Sequence, residues 1–211
     1  MSNPISSHPR TRVMTLLAAA LVGLLALTGC SQSLRAGDAV TVGDTTVSSG
    51  RVDDLLADYL AETDQTGADS ATISQVRQAL LTNIVVNELT SIAAKKLDVS
   101  VPAGQVSEQT QAQLEAGNFA DVAKQYVIPR ALLPDMIRAS LERAAIGEKL
   151  AGGSGGDAQK SQTSMSQYLV KVAKQENVWV NPLYGQWDPS KLWVSGSGSL
   201  VKTGGSVASG S

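Results

Sequence analysis

Hydrophobic residues recur at helical spacing along most of the chain and alternate with polar residues in only two short stretches. Over residues 49–62 apolar side chains fall at i, i+3, i+4, i+7 and i+8, the pattern of an amphipathic helix. Similar stripes predict helices over residues 72–96, 102–117, 119–126 and 134–151, and a final one after Asp157. The helix over residues 72–96 is apolar on more than one face and should be central, whereas that over residues 102–117 should be peripheral.

Capping residues indicate where two of these helices begin. Ser49 is suited to cap the first predicted helix, because its hydroxyl can accept a hydrogen bond from a free amide of the first turn. Thr72 and Gln75 have the spacing of a capping box at the start of the second.

The two alternating stretches predict β structure. Residues 39–42 and 45–47 are β-prone and flank Gly43-Asp44, a pair suited to a tight hairpin turn. Residues 177–181 also alternate, and Val178 and Val180 are expected to pair with the hairpin. The predicted fold is therefore mainly α, with an N-terminal β-hairpin that pairs with a late C-terminal strand.

The N-terminal region has the three-part layout of a secretory signal. Arg10 and Arg12 precede an apolar run over residues 13–27, which is shorter than the about 20 residues of a membrane-spanning helix. The run ends in a segment that resembles the lipobox of bacterial lipoproteins: Leu27-Thr28-Gly29-Cys30. We expect cleavage before Cys30 and attachment of diacylglyceryl and acyl chains there. The alternatives are an ordinary cleaved signal or a free buried cysteine.

Composition excludes several classes of enzyme. Cleavage before Cys30 removes His8, the only histidine, together with two of the 17 basic residues and none of the 19 acidic ones, which changes the formal net charge from -2 to -4. A mature chain without histidine lacks the residues for a Ser-His-Asp site, a Cys-His site or a typical zinc site. Nucleotide-binding glycine motifs are absent, and the acidic balance disfavours nucleic acid. We therefore predict no enzymatic activity, no metal and no cofactor except the lipid on Cys30.

The chain divides into four predicted parts. Residues 1–29 form the signal peptide, residues 30–38 a lipidated tether, and residues 39–188 the folded domain. Residues 189–211 are rich in glycine and serine and are expected to be a disordered tail. Inside the domain, the glycine-rich residues 152–156 predict a flexible joint between the last two helices.

Two motifs at the ends of the predicted domain carry a family resemblance. Residues 40–47, VTVGDTTV, resemble a V-N-G-x-x-I opening, although Gly43-Asp44 departs from the usual Asn-Gly order. Residues 178–188, VWVNPLYGQWD, resemble a late strand that reads V-N-P-x-Y-G. With the signal and the intervening helices, the chain resembles the N-terminal chaperone domain of the SurA and PrsA families.

The resemblance implies an extracytoplasmic foldase or chaperone. Members of these families commonly carry a parvulin prolyl isomerase domain before the last helix and strand, where this chain has only residues 152–156. Parvulin sites also use histidine, which the mature chain lacks. We therefore predict that prolyl isomerase activity is absent.

The function expected from these features is that of an ATP-independent holdase, lipid-anchored on the extracytoplasmic face of the cell membrane. Its partners would be unfolded or partly folded exported polypeptides. The candidate client-binding residues are apolar side chains that are not all expected to fit inside the core: Leu132, Leu133, Met136, Met165 and Tyr168. Core packing is the competing role for each of them. The alternative function is that of a structural or assembly lipoprotein that binds one folded envelope partner.

Overall fold

The computed structural model of the chain describes residues 37–153 and 157–196. Within these residues it contains six α-helices and five short strands. In chain order the elements are β1 (Asp38–Val42), β2 (Thr45–Ser48), α1 (Ser49–Glu62), α2 (Ser70–Lys96), α3 (Ala103–Glu115), α4 (Phe119–Tyr126), a 3-10 turn (Arg130–Leu132), α5 (Leu133–Ala151), α6 (Ala158–Gln175), β3 (Val178–Val180), β4 (Gln186–Asp188) and β5 (Trp193–Ser195). The predicted mainly α fold is confirmed. The predicted signal, lipobox and Cys30 lie outside the described residues, as do residues 154–156 of the predicted joint.

The small sheet confirms the predicted pairing of the N-terminal hairpin with the late strand over residues 178–180. Its strand order is β2-β1-β3, and both pairs are antiparallel. The turn between β1 and β2 uses Gly43 at φ +56°, a conformation that glycine adopts without steric penalty. On the other side of β1, Val40 pairs with Val180 and Val42 with Val178.

Helix α2 is the centre of the domain, as its apolar pattern predicts. It contributes nine buried residues, including Leu80, Leu81 and Leu89, which are fully enclosed. One hydrophobic cluster joins α2 to the sheet and α6, and a second joins its N-terminal half to α1. Helix α3 buries only Val106, which confirms its peripheral position.

Two helices begin earlier than the capping residues predict. Ser48, one residue before the predicted cap, accepts a hydrogen bond from the Arg51 amide at 3.2 Å. Asp69 caps α2 by accepting from the Thr72 amide at 2.8 Å, so Thr72 lies inside the first turn. In both cases the capping side chain belongs to the last residue with extended backbone, which is where an N-cap must lie.

The Val180-Asn181-Pro182 segment at the end of β3 joins the two ends of the domain. The Asn181 side-chain amide donates to the Asp38 carbonyl at 3.0 Å, and its oxygen accepts from the Leu183 amide at 3.0 Å. Its backbone amide donates to the Ala39 carbonyl at 2.8 Å. Asn181 therefore extends the pairing of β3 with β1 and shapes the turn that follows.

The sequence predicts a disordered tail from residue 189 onward, but the first eight residues of that segment belong to the folded domain. Residues 189–196 are ordered: β5 pairs with β4 in an antiparallel hairpin, and Val194 is fully buried against α2 and the sheet cluster. The Val194 amide donates to the Thr82 hydroxyl of α2 at 2.9 Å. Gly185, at φ +146°, allows the close approach of β5, because a Cβ there would lie 2.1 Å from the Ser195 carbonyl oxygen. The prediction of disorder rested on the average composition of the segment, which does not show that one residue, Val194, is buried against α2.

Candidate groove between the hairpin and helix α5

A groove opens where the hairpin and α5 both lie over α2. It encloses a cavity of about 260 Å³. Its apolar lining comes from β1, β2, α1, α2, the 3-10 turn and α5: Val40, Val42, Val47, Leu55, Ile84, Leu132 and Ala139. We call this site the α5 groove.

Strand and helix periodicity explain which residues face the α5 groove. Alternate residues of a strand share one face, and one face of the hairpin supplies four lining residues: Val40, Val42, Thr45 and Val47. Residues at i, i+3, i+4 and i+7 share one face of a helix, and α5 supplies four at that spacing: Asp135, Arg138, Ala139 and Glu142.

The remaining lining is polar and carries both signs of charge. The charged residues are Arg51, Glu88, Asp135, Arg138 and Glu142. Glu88 accepts a hydrogen bond from the Thr45 hydroxyl at 2.9 Å, which ties α2 to the hairpin. Asn87 and Ser91 add neutral hydrogen-bonding groups from the same helix. The groove can therefore bury apolar groups and hydrogen-bond polar ones.

Glu142 is the most unusual group in the α5 groove. It is only 7% exposed, and its buried Oε2 has no hydrogen-bond partner among the described residues. Burial raises the pKa of Glu142 above its ordinary value of 4.5, although Arg138 and Lys95, a hydrogen bond from Ser91 and then Arg143 act in the opposite direction. A buried acceptor without a partner costs about 1–3 kcal/mol. The groove thus contains a buried carboxyl group with one oxygen that has no hydrogen-bond partner among the described residues.

The structure does not bring the five predicted client-binding residues together. Leu132 lines the α5 groove and is 8% exposed. Leu133 is fully buried in a cluster with α3 and α4, and Met136 packs against that same cluster. Met165 and Tyr168 belong to the cluster around α2 and the sheet. Client binding by these side chains stays a prediction, and only Leu132 contributes to the groove.

Sequence reasoning missed the rest of the α5 groove. Hydrophobic periodicity shows that a side chain points inward, but it does not show whether the opposing elements meet. One signal was present: Glu142 lies on the same face of α5 as Ala139 and Ile146, both of which are buried. A carboxyl group within an apolar stripe of a helix is expected to be buried, and a buried carboxyl group needs a hydrogen-bond or ionic partner.

Other kinds of site are not seen in the described part of the chain. Residues 37–153 and 157–196 hold no group of three or more metal-ligating side chains of the His, Cys, Asp or Glu type. No helix within these residues is long and apolar enough to cross a membrane.

Comparison with known protein families gives a match to one family over most of the chain. The SurA-like N-terminal domain matches residues 1–151, which run to the end of α5 and include every residue that lines the α5 groove. No match was found among the curated proteins or among the solved structures. The matched domain is of the chaperone type and is not catalytic. This chain belongs to the family of SurA-like N-terminal domains.

Proposed function

We propose that this protein is a lipid-anchored chaperone on the extracytoplasmic face of the cell membrane. It holds unfolded or partly folded exported polypeptides without ATP and without prolyl isomerase activity. The observation that supports client binding is the α5 groove, an apolar cavity with a mixed polar lining inside a domain of a chaperone family. In this proposal an extended client segment places one apolar side chain in the cavity while its backbone meets the polar residues.

The size of the groove suits reversible binding. Burying one apolar side chain contributes about 1.5–3 kcal/mol, which alone gives weak affinity. A weakly held segment leaves as soon as it can bury the same side chain in its own core. Release therefore needs no nucleotide, and folding of the client competes directly with the chaperone.

The lipid anchor compensates for weak contacts by raising local concentration. Two or three acyl chains on Cys30, at about 0.8 kcal/mol per buried methylene, would hold the domain stably on a membrane. Clients that leave the translocation machinery at the same surface then meet the α5 groove at a high effective concentration.

Blocking the α5 groove tests the proposal. In the full lipoprotein reconstituted in liposomes, Asn87→Trp places an indole at the half-buried lining of the groove. Gln167→Trp, on the exposed surface of α6, is the matched control. We expect the wild type and the control to suppress light scattering from an aggregating, reduced client, and the Asn87 variant to lose most of that effect while keeping its circular dichroism spectrum. Equal suppression by both variants would show that clients do not use this groove.

Crosslinking separates a chaperone from a lipoprotein with one folded partner. A photoreactive phenylalanine analogue at position 87 should capture many unrelated exported chains in growing cells, and the same analogue at position 167 should capture few. A single stoichiometric partner at position 87 would instead support the structural or assembly role.

A further inference from the structure

Strand β3 forms one edge of the three-stranded sheet. It pairs with β1 on one side, and within residues 37–153 and 157–196 no strand pairs with its other side. The unpaired backbone of an edge strand can pair with a further strand unless a covering element, a proline or a charge prevents it. The outer side of β3 is therefore a place where an extended polypeptide can bind.

The hydrogen bonds of β3 show which backbone groups lie on its outer side. The Asn177 carbonyl accepts a hydrogen bond from the turn after β1 at 3.1 Å, and the Asn181 amide donates one to β1 at 2.8 Å. Backbone bonds in an antiparallel pair recur at every second residue, so Trp179 between them also bonds to β1. The intervening residues, Val178 and Val180, direct their N–H and C=O groups away from β1.

The flanking residues limit this outer edge to two positions. The next residues of the same phase are Glu176 and Pro182. The Glu176 amide donates to the Val172 carbonyl of α6 at 2.9 Å, and proline has no N–H. The edge thus offers two N–H groups and two carbonyls, those of Val178 and Val180, which form no hydrogen bond with another described residue.

A groove with a volume of about 520 Å³ adjoins the same strand. All three residues of β3 line it, and the rest of its lining comes from the C-terminal end of α6 and from residues in and around β4. We call it the β3 groove. Its apolar lining outside β3 includes Pro182, Trp187 and Pro189. A segment that pairs with β3 therefore finds apolar side chains beside its own.

The size of the β3 groove favours a single extended segment over a second folded copy of the chain. Twelve residues line it, whereas a stable protein dimer uses about 20–30 residues on each partner. Three residues of a strand span about 10 Å, so a short extended segment covers the whole of β3. Such a segment supplies the alternating donors and acceptors that Val178 and Val180 lack.

Building on the proposed client binding, we infer that the outer edge of β3 is a second docking site, at which an extended segment of an unfolded exported polypeptide adds a fourth strand to the sheet. The segment's backbone bonds to the N–H and C=O groups of Val178 and Val180, and its side chains contact the apolar lining of the β3 groove. Backbone groups are the same in every polypeptide, so this site accepts segments of varied sequence.

Amide hydrogen exchange tests the inference on the full chain in detergent micelles. The probe is fluorescein-labelled Gly-Ser-Val-Thr-Val-Ser-Gly. Its control is the same peptide N-methylated at the three central residues, which keeps the side chains and removes the backbone donors. Fluorescence anisotropy measures binding, and NMR spectroscopy follows exchange of the Val178 and Val180 amides. The amide of Thr46, an exposed residue of β2 at the opposite edge of the sheet, is the internal control.

We expect the saturating unmodified peptide to slow exchange of the Val178 and Val180 amides about tenfold or more, because a hydrogen-bonded amide exchanges only when its bond opens. Exchange at Thr46 should not change. The N-methylated peptide should bind about tenfold or more weakly, the effect of losing about two net hydrogen bonds. Binding without protection of Val178 and Val180, or equal affinity of the two peptides, would overturn the inference and leave client binding in the α5 groove intact.

The other possible occupants of the edge give different results in the absence of peptide. Protection of the Val178 and Val180 amides that grows with protein concentration would show a second copy there and overturn the inference. Protection that is lost on deletion of residues 197–211 would show the chain's own C-terminal segment there, with the same consequence. A wild type that suppresses client aggregation but binds neither peptide would contradict the β3 site alone. Failure in both assays would contradict the proposed function as well.

Discussion

The hydrogen bond between Thr82 and Val194 should be essential for attaching the C-terminal hairpin to the domain. The Thr82 hydroxyl accepts from the Val194 amide at 2.9 Å, and both residues are buried, Thr82 being 6% exposed and Val194 fully enclosed. Thr82→Val keeps the shape of the side chain and removes the acceptor. The Val194 amide then lies in the core without a partner and without access to water.

The expected cost follows from that burial. A buried donor left unsatisfied costs about 1–3 kcal/mol, and in a domain of this size each kcal/mol lowers Tm by about 2–4 °C. Thr90→Val is the matched control in the same helix, because Thr90 is also fully buried. Its hydroxyl donates to the Val86 carbonyl at 2.7 Å, and that carbonyl keeps its helical hydrogen bond after the substitution. Thr90→Val should therefore cost about 1 kcal/mol or less.

Urea denaturation followed by circular dichroism measures both variants, and amide hydrogen exchange reports on Val194 directly. We expect Thr82→Val to be the less stable of the two and to lose protection of the Val194 amide. If the two variants unfold at the same urea concentration with the Val194 amide still protected, the hydrogen bond does not hold the hairpin and the reasoning is wrong.

Three further predictions concern a glycine, the buried carboxylate and the anchor. Gly185→Ala should lower the free energy of unfolding by more than about 1 kcal/mol because its Cβ would clash with Ser195, whereas Gly104→Ala, in open space on α3, should stabilise by about 0.5–1 kcal/mol in the same melts. Glu142→Gln should stabilise the protein at pH 7: the folded-state pKa is raised, so the wild type loses stability as pH rises through that pKa, and the gain should vanish below about pH 4.5. Cys30→Ser should move the protein from the membrane to the soluble fraction and remove its label after growth with an alkyne fatty acid; unchanged fractionation would contradict lipidation.

Local patterns in the sequence predicted most of the elements because the forces that define them are local. The bounds of α4 and the paired valines of β1 and β3 follow from apolar spacing and turn residues within a few positions of one another. Helix starts were less accurate. Ser48 and Ser49 offer the same hydroxyl, and only the observed backbone, extended at Ser48 and helical at Ser49, distinguishes the two.

The candidate site was less predictable, since it depends on how elements meet. Leu132 and Leu133 are neighbours of the same type, yet the first lines the α5 groove and the second is fully buried beside α3 and α4. Their sequence context is almost identical, so no local signal separates them. Leu132 ends the 3-10 segment and Leu133 begins α5, so the two side chains point in different directions, and the elements packed against each one decide which of them reaches the groove.

What the sequence determined by itself is the set of helices, the hairpin and the late strand that pairs with it, because chain periodicity and turn chemistry act over a few residues. Tertiary structure alone decided that Val194 closes the core against Thr82 and that the hairpin and α5 leave a groove over α2. It also decided that Oε2 of Glu142 lies in that groove without a donor from residues 37–153 and 157–196. These features depend on contacts between residues far apart in the chain. Their energies come from burial and from hydrogen bonds made or left unmade after packing, which are properties of the folded arrangement.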